Sequence, residues 1–454
     1  MGLSPARIRP TIAKLASSPT TSSAGIAPRR AAALLLLSVV DESQALNARL
    51  ESVDSPFASL QPQDHAFARA IVSVALRRRG QIRAALDGLM QRRLPPRSGS
   101  LRTIMEVAAA QILFLDVPDH AAVSTALEMA NGDPKARHFK PLANGVLRNL
   151  VRQREAILAE QDPARLNTPD WLWQLWQEAF GEEEVRAIGV GHMAEPPLDI
   201  TVKNDASAWA VRLGGVVLPT GTVRFKAKGR IEALVGYEEG AWWVQDFAAA
   251  LPARLLGEVR GKRVLDLCAS PGGKTAQLAS AGAIVTAVDS SDARMSRLTA
   301  NLARLGLKAV CVVDDATTFR SNAGFDAVLV DAPCSATGTI RRHPDIPWVK
   351  TEADLGRLVA VQRKLISNAI SLAVVGAPIV FATCSLQPEE GEGHVNSALT
   401  GNPISVSPIE ANEFPGLNDR WVKDGTLRTL PSFSPDLQVT GGMDGFFATR
   451  FVRE

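Results

Sequence analysis

The chain reads as a multidomain protein: an all-α domain in front, a small α/β subdomain, and a C-terminal α/β domain on a Rossmann-like parallel sheet. Three patterns predict this. Apolar residues recur at helical spacing from residue 29 to about 160. Short alternating runs broken by Gly and Pro follow at 197–236. From residue 264 onward come five apolar runs, each stopping at a polar residue. A length of 454 residues, 46% of them hydrophobic, is enough for two or three cored domains.

Residues 1–28 are rich in Ser, Pro, Ala and Thr, carry Arg7, Arg9 and Lys14, and hold no acidic residue. They predict a disordered basic tail, with a composition that also resembles an organellar transit peptide. The apolar run at 31–40 is too short to span a bilayer, so no membrane association is expected. Ala31, Leu34, Leu35 and Val39, then Val107, Ile112 and Leu113, follow helical periodicity. Turns fall near Pro56, Pro95-Pro96 and Asp133-Pro134, giving six or seven helices over 29–160. Residues 1–160 hold 21 Lys and Arg against 13 Asp and Glu, whereas the remainder is net acidic. Basic charge gathers on Arg77-Arg78-Arg79, Arg92-Arg93, Arg97 and around Lys135 to Lys140.

Thr168-Pro169-Asp170 opens, and Gly181 closes, a helix carrying Trp171, Trp173 and Trp176, which are expected in a core rather than on bases. Residues 161–236 form the small α/β subdomain, with strands at 198–202, 209–213 and 223–226. The third domain runs from 237 to 454.

That domain is organised around residues 264–275, Val-Leu-Asp-Leu-Cys-Ala-Ser-Pro-Gly-Gly-Lys-Thr, which read strand, tight glycine turn, helix. Glycines there let backbone approach a ligand, and the N–H groups of the helix start face it. Neither the dinucleotide fingerprint nor the phosphate-loop spacing is present, which disfavours ordinary NAD and ATP sites. The strand 284–289 ends in Asp289, 23 residues after Asp266 and suited to a ribose. Strands at 309–315, 325–334 and 377–385 end in Asp314-Asp315, in Asp331 with Cys334, and in Cys384. In an open parallel sheet all these termini converge on one crevice. The four cysteines, Cys268, Cys311, Cys334 and Cys384, show no C-x-x-C spacing. No metal site or disulfide framework is readable, and a reducing compartment is implied.

Asp331-Ala-Pro-Cys334-Ser-Ala-Thr-Gly-Thr with Arg341-Arg-His-Pro-Asp345, and Ala382-Thr-Cys384-Ser with Pro388-Glu-Glu390, resemble the Nol1/Nop2/Sun family of RNA 5-methylcytosine methyltransferases. The likeness covers roughly the second half of the chain. It implies a Rossmann-like class I methyltransferase domain that uses S-adenosylmethionine. Cys268, Ala269, Ser270, Pro271, Gly272, Gly273, Lys274, Asp289, Asp315 and Asp331 would hold the cofactor, Asp289 at the ribose and Asp315 at the adenine amine. Cys268 and Cys311 also read as structural, on the cofactor turn and inside a strand. Gln245 and Asp246, in a segment where the likeness weakens, are further cofactor-side candidates. Arg341, Arg342 and His343 are expected along a nucleic-acid backbone. The terminal pattern at 442–451 fits an antiparallel edge strand. Residues 121–128 and 140–149 are similar to the NusB-type RNA-binding module preceding the catalytic domain in bacterial small-subunit ribosomal RNA members, with Asn144 and Arg148 positioning the last helix.

The chemistry follows from cytosine itself. Carbon 5 is a poor nucleophile until a group adds at carbon 6, and a thiolate suits that addition. A second group must then take the proton from carbon 5, and Asp331 is available for ring nitrogen 3. Residue chemistry leaves open which cysteine attacks; the resemblance maps the nucleophile to Cys384, with Cys334 assisting turnover. The expectation is a cytoplasmic monomer methylating RNA, foremost small-subunit ribosomal RNA. A transfer RNA substrate is one alternative, and an RNA-binding antitermination-type factor with an inactive domain is another. A DNA cytosine methyltransferase is disfavoured by Cys384.

Overall fold

The computed structural model describes residues 25–454 except 228, 412, 437 and 438. The tail expected over 1–28 lies, up to residue 24, outside the described residues, and the first helix already begins at Ile26. The chain divides into two compact units. One runs through Trp173 and includes His343–Lys350; the other comprises Gln174–Arg342 and Thr351–Glu454.

In the first unit, helices Ile26–Asp41, Leu46–Glu51, Pro62–Arg77, Arg79–Gly88, Leu101–Phe114, Asp119–Gly132 and Lys140–Glu160 surround one core. Leu35, Leu36, Ile71, Leu76, Ile104 and Leu147 are buried in it, where apolar area removed from water stabilises the packing. The helix Leu101–Phe114 is buried on nearly every face and is the central one. Its Glu106 is enclosed; burial pushes its carboxyl up, opposed by Arg79, Arg83 and Arg102. Trp348 belongs to this unit, donating from Nε1 to the Leu76 carbonyl at 2.8 Å, with Arg79 over its ring. The helix with the tryptophans starts at Asp170, and Thr168 donates its hydroxyl back to the Ala164 carbonyl. Gly181 (φ +86°) ends the helix, its N–H donating to the Gln177 carbonyl.

The second unit opens with a small antiparallel sheet of β1 (Leu198–Val202), β2 (Val216–Val217), β3 (Val223–Phe225) and β4 (Trp242–Val244), ordered β2-β3-β1-β4. Residues 209–213, expected as a strand, lie instead in the helix Ala206–Leu213. Asp205 caps it by accepting from the Ala208 N–H, and Gly214 (φ +63°) terminates it. A short apolar run does not by itself distinguish helix from strand, and these two caps decide the matter.

The large sheet contains β5 (Arg263–Leu267), β6 (Ile284–Asp289), β7 (Val310–Val313), β8 (Ala327–Asp331), β9 (Pro378–Thr383), β10 (Ile404–Val406), β11 (Val422–Lys423), β12 (Thr426–Thr429) and β13 (Phe446–Arg453). Its order is β11-β12-β13-β9-β8-β5-β6-β7, with β10 also on β13. β5 to β9 pair in parallel, while β13 runs antiparallel to β9. β13 is not the expected edge strand, because the β11-β12 hairpin pairs along its other side. Strand order reverses between β5 and β8, the point where such sheets open a crevice beyond their carboxyl ends.

Candidate active site

The crevice has a volume of about 390 Å³ and is lined by Cys268, Ser270, Pro271, Asp289, Arg294, Asp315, Asp331, Cys334, Val361, Leu365 and Cys384, among others. Its floor is the turn after β5. Cys268 takes φ +64° and Gly272 φ +102°; a Cβ on Gly272 would lie 2.8 Å from Leu298 Cγ, so glycine is required there. The helix Gly273–Ser280 follows, and Thr275 donates to the fully buried Asp266 at 2.6 Å. Burial lifts the Asp266 carboxyl to about 7, with Asp331 and Asp289 adding to the effect and the Thr275 bond opposing it.

Three acids face the crevice. Asp289, buried at the end of β6, accepts from the Ser270 N–H at 3.2 Å, from the Ser291 N–H at 2.9 Å and from Arg294 at 2.7 Å. Asp315 accepts from the Thr317 N–H and hydroxyl, both at 2.8 Å, which hold its carboxyl below the usual range. Asp331, at the end of β8, receives Lys274 Nζ at 2.7 Å, and that ammonium lies over the Phe446 ring. Ser270 Oγ is buried without a hydrogen-bond partner. Carboxylates beside a glycine turn and an unspent hydroxyl fit a ligand that carries ribose hydroxyls and positive charge. Ala269 and Gly273 belong to the same turn. Cys268 lies on it with its thiol pushed up by burial, Asp331 and Asp289. Cys311 sits inside β7, half-buried.

Cys334 and Cys384 leave adjacent strands, and their sulfurs are 3.5 Å apart. The contact with Cys384, then burial, pushes the Cys334 thiol well above its ordinary range. Cys334 is thus placed to keep its proton while sharing it with the neighbouring sulfur. The two loops are bonded to each other. The Gly338 N–H donates to the Cys384 carbonyl, the Leu386 N–H donates to Thr337 Oγ1, and Ser335 Oγ lies 3.0 Å from Ser385 Oγ.

Gln245 and Asp246 are not at the crevice. Gln245 bonds Thr201, Trp243 and Gln277. Asp246 is buried against Arg341 at 2.7 Å and Arg342 at 2.6 Å, and both guanidiniums also reach Asp444. Burial would raise Asp246, but Arg342 and Arg341 outweigh it and hold the carboxyl far below its usual range. Asp444 is lifted to about 6 by burial and by Asp246. Arg341 and Arg342 are accordingly committed to this cluster rather than free for a nucleic-acid backbone; Arg341 is only 1% exposed. Asp246, Arg341 and Asp444 are buried beside opposite charge, the condition under which buried arginines persist, and Arg342 joins them from a partly exposed position. His343 lies in the first unit. Trp176 is fully buried, its Nε1 donating to Gln387 at 2.9 Å. Asn144 and Arg148 line a separate cleft on the helical unit with Asp119, His120 and Arg152.

Sequence reasoning missed Glu390. Quoted only as part of a motif, it is fully buried and accepts from the Ser335 N–H, the Ser335 hydroxyl and Gln362 Nε2. The available signal was a pair of acids a few residues beyond a strand-end cysteine.

A parallel sheet with acidic strand ends around a glycine turn is the architecture of a Rossmann-like methyltransferase. Comparison with known proteins narrows this. A family model described as 16S rRNA methyltransferase RsmB/F matches residues 253–452, and the NusB family model matches residues 27–152. Ribosomal RNA small subunit methyltransferase B of Sodalis glossinidius is 33% identical over 442 residues, 93% of this chain and 97% of that protein. The protein of the same name from Cronobacter sakazakii is 34% identical over 445 residues, 94% of this chain and 98% of that one. The crystal structure of PH0851 shares the fold, with a TM-score of 0.72 at 22% identity over 95% of this chain and 99% of that one. The chain belongs to the RsmB/F methyltransferase family, with a NusB domain in front.

The buried Asp266 makes stability depend on pH. Its native pKa lies above the unfolded one, so folding favours the protonated carboxyl. That contribution is complete below the unfolded value of 3.8 and is lost as pH rises through about 7. Asp266→Asn should therefore gain on the wild type, by up to on the order of 4 kcal/mol, between pH 4 and pH 8 in urea unfolding. An unchanged difference between the two proteins across that range would contradict the assignment.

Proposed function

We propose that the protein methylates carbon 5 of a cytosine in RNA, foremost small-subunit ribosomal RNA, through a covalent bond between Cys384 and carbon 6. One observation carries this reading: two thiols 3.5 Å apart open onto the same crevice as the acidic strand ends. A transfer of methyl to nitrogen or oxygen needs neither thiol. A carbon-5 transfer needs a nucleophile at carbon 6 and a second group to complete elimination.

Cys384 is assigned the attack. Its sulfur bonds carbon 6 as the 5,6 double bond opens, and Asp331 is assigned the proton at ring nitrogen 3, with the bonded Lys274 balancing its charge. S-adenosylmethionine supplies the methyl group to carbon 5. Cys334 is assigned to the closing stage: once Cys384 is bonded to carbon 6, Cys334 gives its own proton to water, its thiolate takes the proton from carbon 5, the electron pair re-forms the 5,6 double bond, and Cys384 leaves carbon 6 as a thiolate. We assign Asp289 to the ribose hydroxyls, Asp315 to the adenine amine, and Cys268 through Lys274 to the rest of the cofactor. The basic charge of the helical unit is assigned to RNA backbone, which attracts it without regard to sequence. A chain of this kind is expected to act in the cytoplasm as a monomer.

Bisulfite sequencing of ribosomal and transfer RNA, with and without the protein, tests the substrate. One small-subunit cytosine should lose protection without it, and protection lost only in transfer RNA would favour the alternative substrate. The variants separate the thiols. Cys384→Ala should abolish methylation and any covalent species. Cys334→Ala should accumulate a slow-migrating protein–RNA adduct on a denaturing gel, and the opposite pattern would reverse the roles. Asp289→Ala should weaken S-adenosylmethionine roughly tenfold or more, as loss of hydrogen bonds to a charged acceptor predicts. Unchanged affinity in calorimetry would reject that placement.

A further inference from the structure

Cys334 is gripped on both flanks. Before it, the Pro333 carbonyl accepts from Gln362 Nε2 at 2.9 Å. After it, Ser335 donates its N–H to the Glu390 carboxylate at 2.9 and 3.1 Å, and its hydroxyl at 2.5 Å. Gln362 Nε2 donates to that same carboxylate at 3.0 Å, so one buried side chain collects both flanks. The orientation of Gln362 is set from behind by His394 Nε2 on its Oε1 at 2.8 Å. Burial, with Arg363, lowers His394 to about 4, which keeps the ring neutral at physiological pH.

Glu390 also reaches the other cysteine. Its backbone carbonyl accepts from Thr383 Oγ1 at 3.0 Å, one residue before Cys384, while Ser335 Oγ meets Ser385, one residue after it. No cation pairs with the carboxylate in any contact described; it is a buried acceptor with three donors aimed at it. A buried charge of this kind is kept only where its hydrogen bonds are all made.

We propose that Glu390 is a positioning residue that sets the distance between the Cys334 and Cys384 sulfurs, acting through Ser335, Gln362 and Thr383. This rests on the two-thiol reading above. Glu390 is fully buried and is not among the residues lining the crevice. Its effect is on the geometry in which the closing thiol meets the adduct, where a displacement of about 1 Å costs up to a hundredfold in rate.

The test uses the full-length protein and a distance probe that needs no RNA: oxidation of the two thiols to a disulfide by diamide, followed by alkylation and mass spectrometry. Glu390→Ala should slow disulfide formation, and slow turnover, by roughly tenfold to a hundredfold. The affinity for S-adenosylmethionine and the KM for RNA should not change. Glu390→Gln keeps the shape but offers one accepting oxygen to three donors, and should fall between wild type and Glu390→Ala. Ser335→Ala should slow both rates less than Glu390→Ala. Wild-type oxidation rates in both Glu390 variants would overturn the proposal. So would a parallel loss of cofactor affinity in both, which would make Glu390 a general stabiliser of the domain. If neither Cys334→Ala nor Cys384→Ala forms an RNA adduct while methylation is retained, the two-thiol mechanism fails, and the oxidation rates of the Glu390 variants still decide whether Glu390 sets the spacing.

Discussion

The contact between two sulfurs depends on the parallel pairing of β8 with β9. Their register sets Asp331 opposite Ala382, so the chain reaches Cys334 three residues beyond one partner and Cys384 two residues beyond the other. Both thiols therefore emerge at one height above the sheet. The loops that carry them leave no slack. A Cβ on Gly338 would fall 2.0 Å from the Gly445 carbonyl oxygen, and the Gly445 N–H donates to the Gly338 carbonyl. The approach to β13 thus closes over the loop after Cys334.

The same sheet separates two kinds of buried charge. Around the crevice the carboxylates of Asp289, Asp315 and Asp331 keep partial exposure or a cation, and they remain able to exchange partners with a ligand. Beside it, Asp246, Arg341, Arg342 and Asp444 form a closed cluster with little access to water. Such clusters contribute little net stability compared with apolar packing, but breaking one member is costly. Here the cluster ties the segment before β5, the loop after β8 and the approach to β13 into one arrangement around the thiols.

Much of this was legible in the chain. Parallel strands show themselves because each is an apolar run stopped by Asp or Cys, and the glycine turn after Leu267 has few alternatives. The pair Cys334 and Cys384 was legible through strand ends and spaced motifs together. Residues 209–213 were misread because five apolar-rich residues satisfy either period, and the deciding caps, Asp205 and Gly214, lie outside the run. Arg341 and Arg342 were misread because sequence shows charge but not the buried partners 95 to 103 positions away that consume it. Glu390 was invisible for the same reason: its importance lies in three donors from other segments. The terminal strand was recognised, but its neighbour β12 is only four residues long and carries little pattern of its own.

The most direct measurement of the central claim is the site of covalent trapping on RNA bearing 5-fluorocytidine, whose carbon 5 has no proton to lose. Incubated with S-adenosylmethionine and digested, the protein should carry the nucleotide on the peptide containing Cys384, and only when the cofactor is present. A nucleotide on the peptide containing Cys334, or no adduct from an RNA whose ordinary cytosine the protein methylates, would contradict the account.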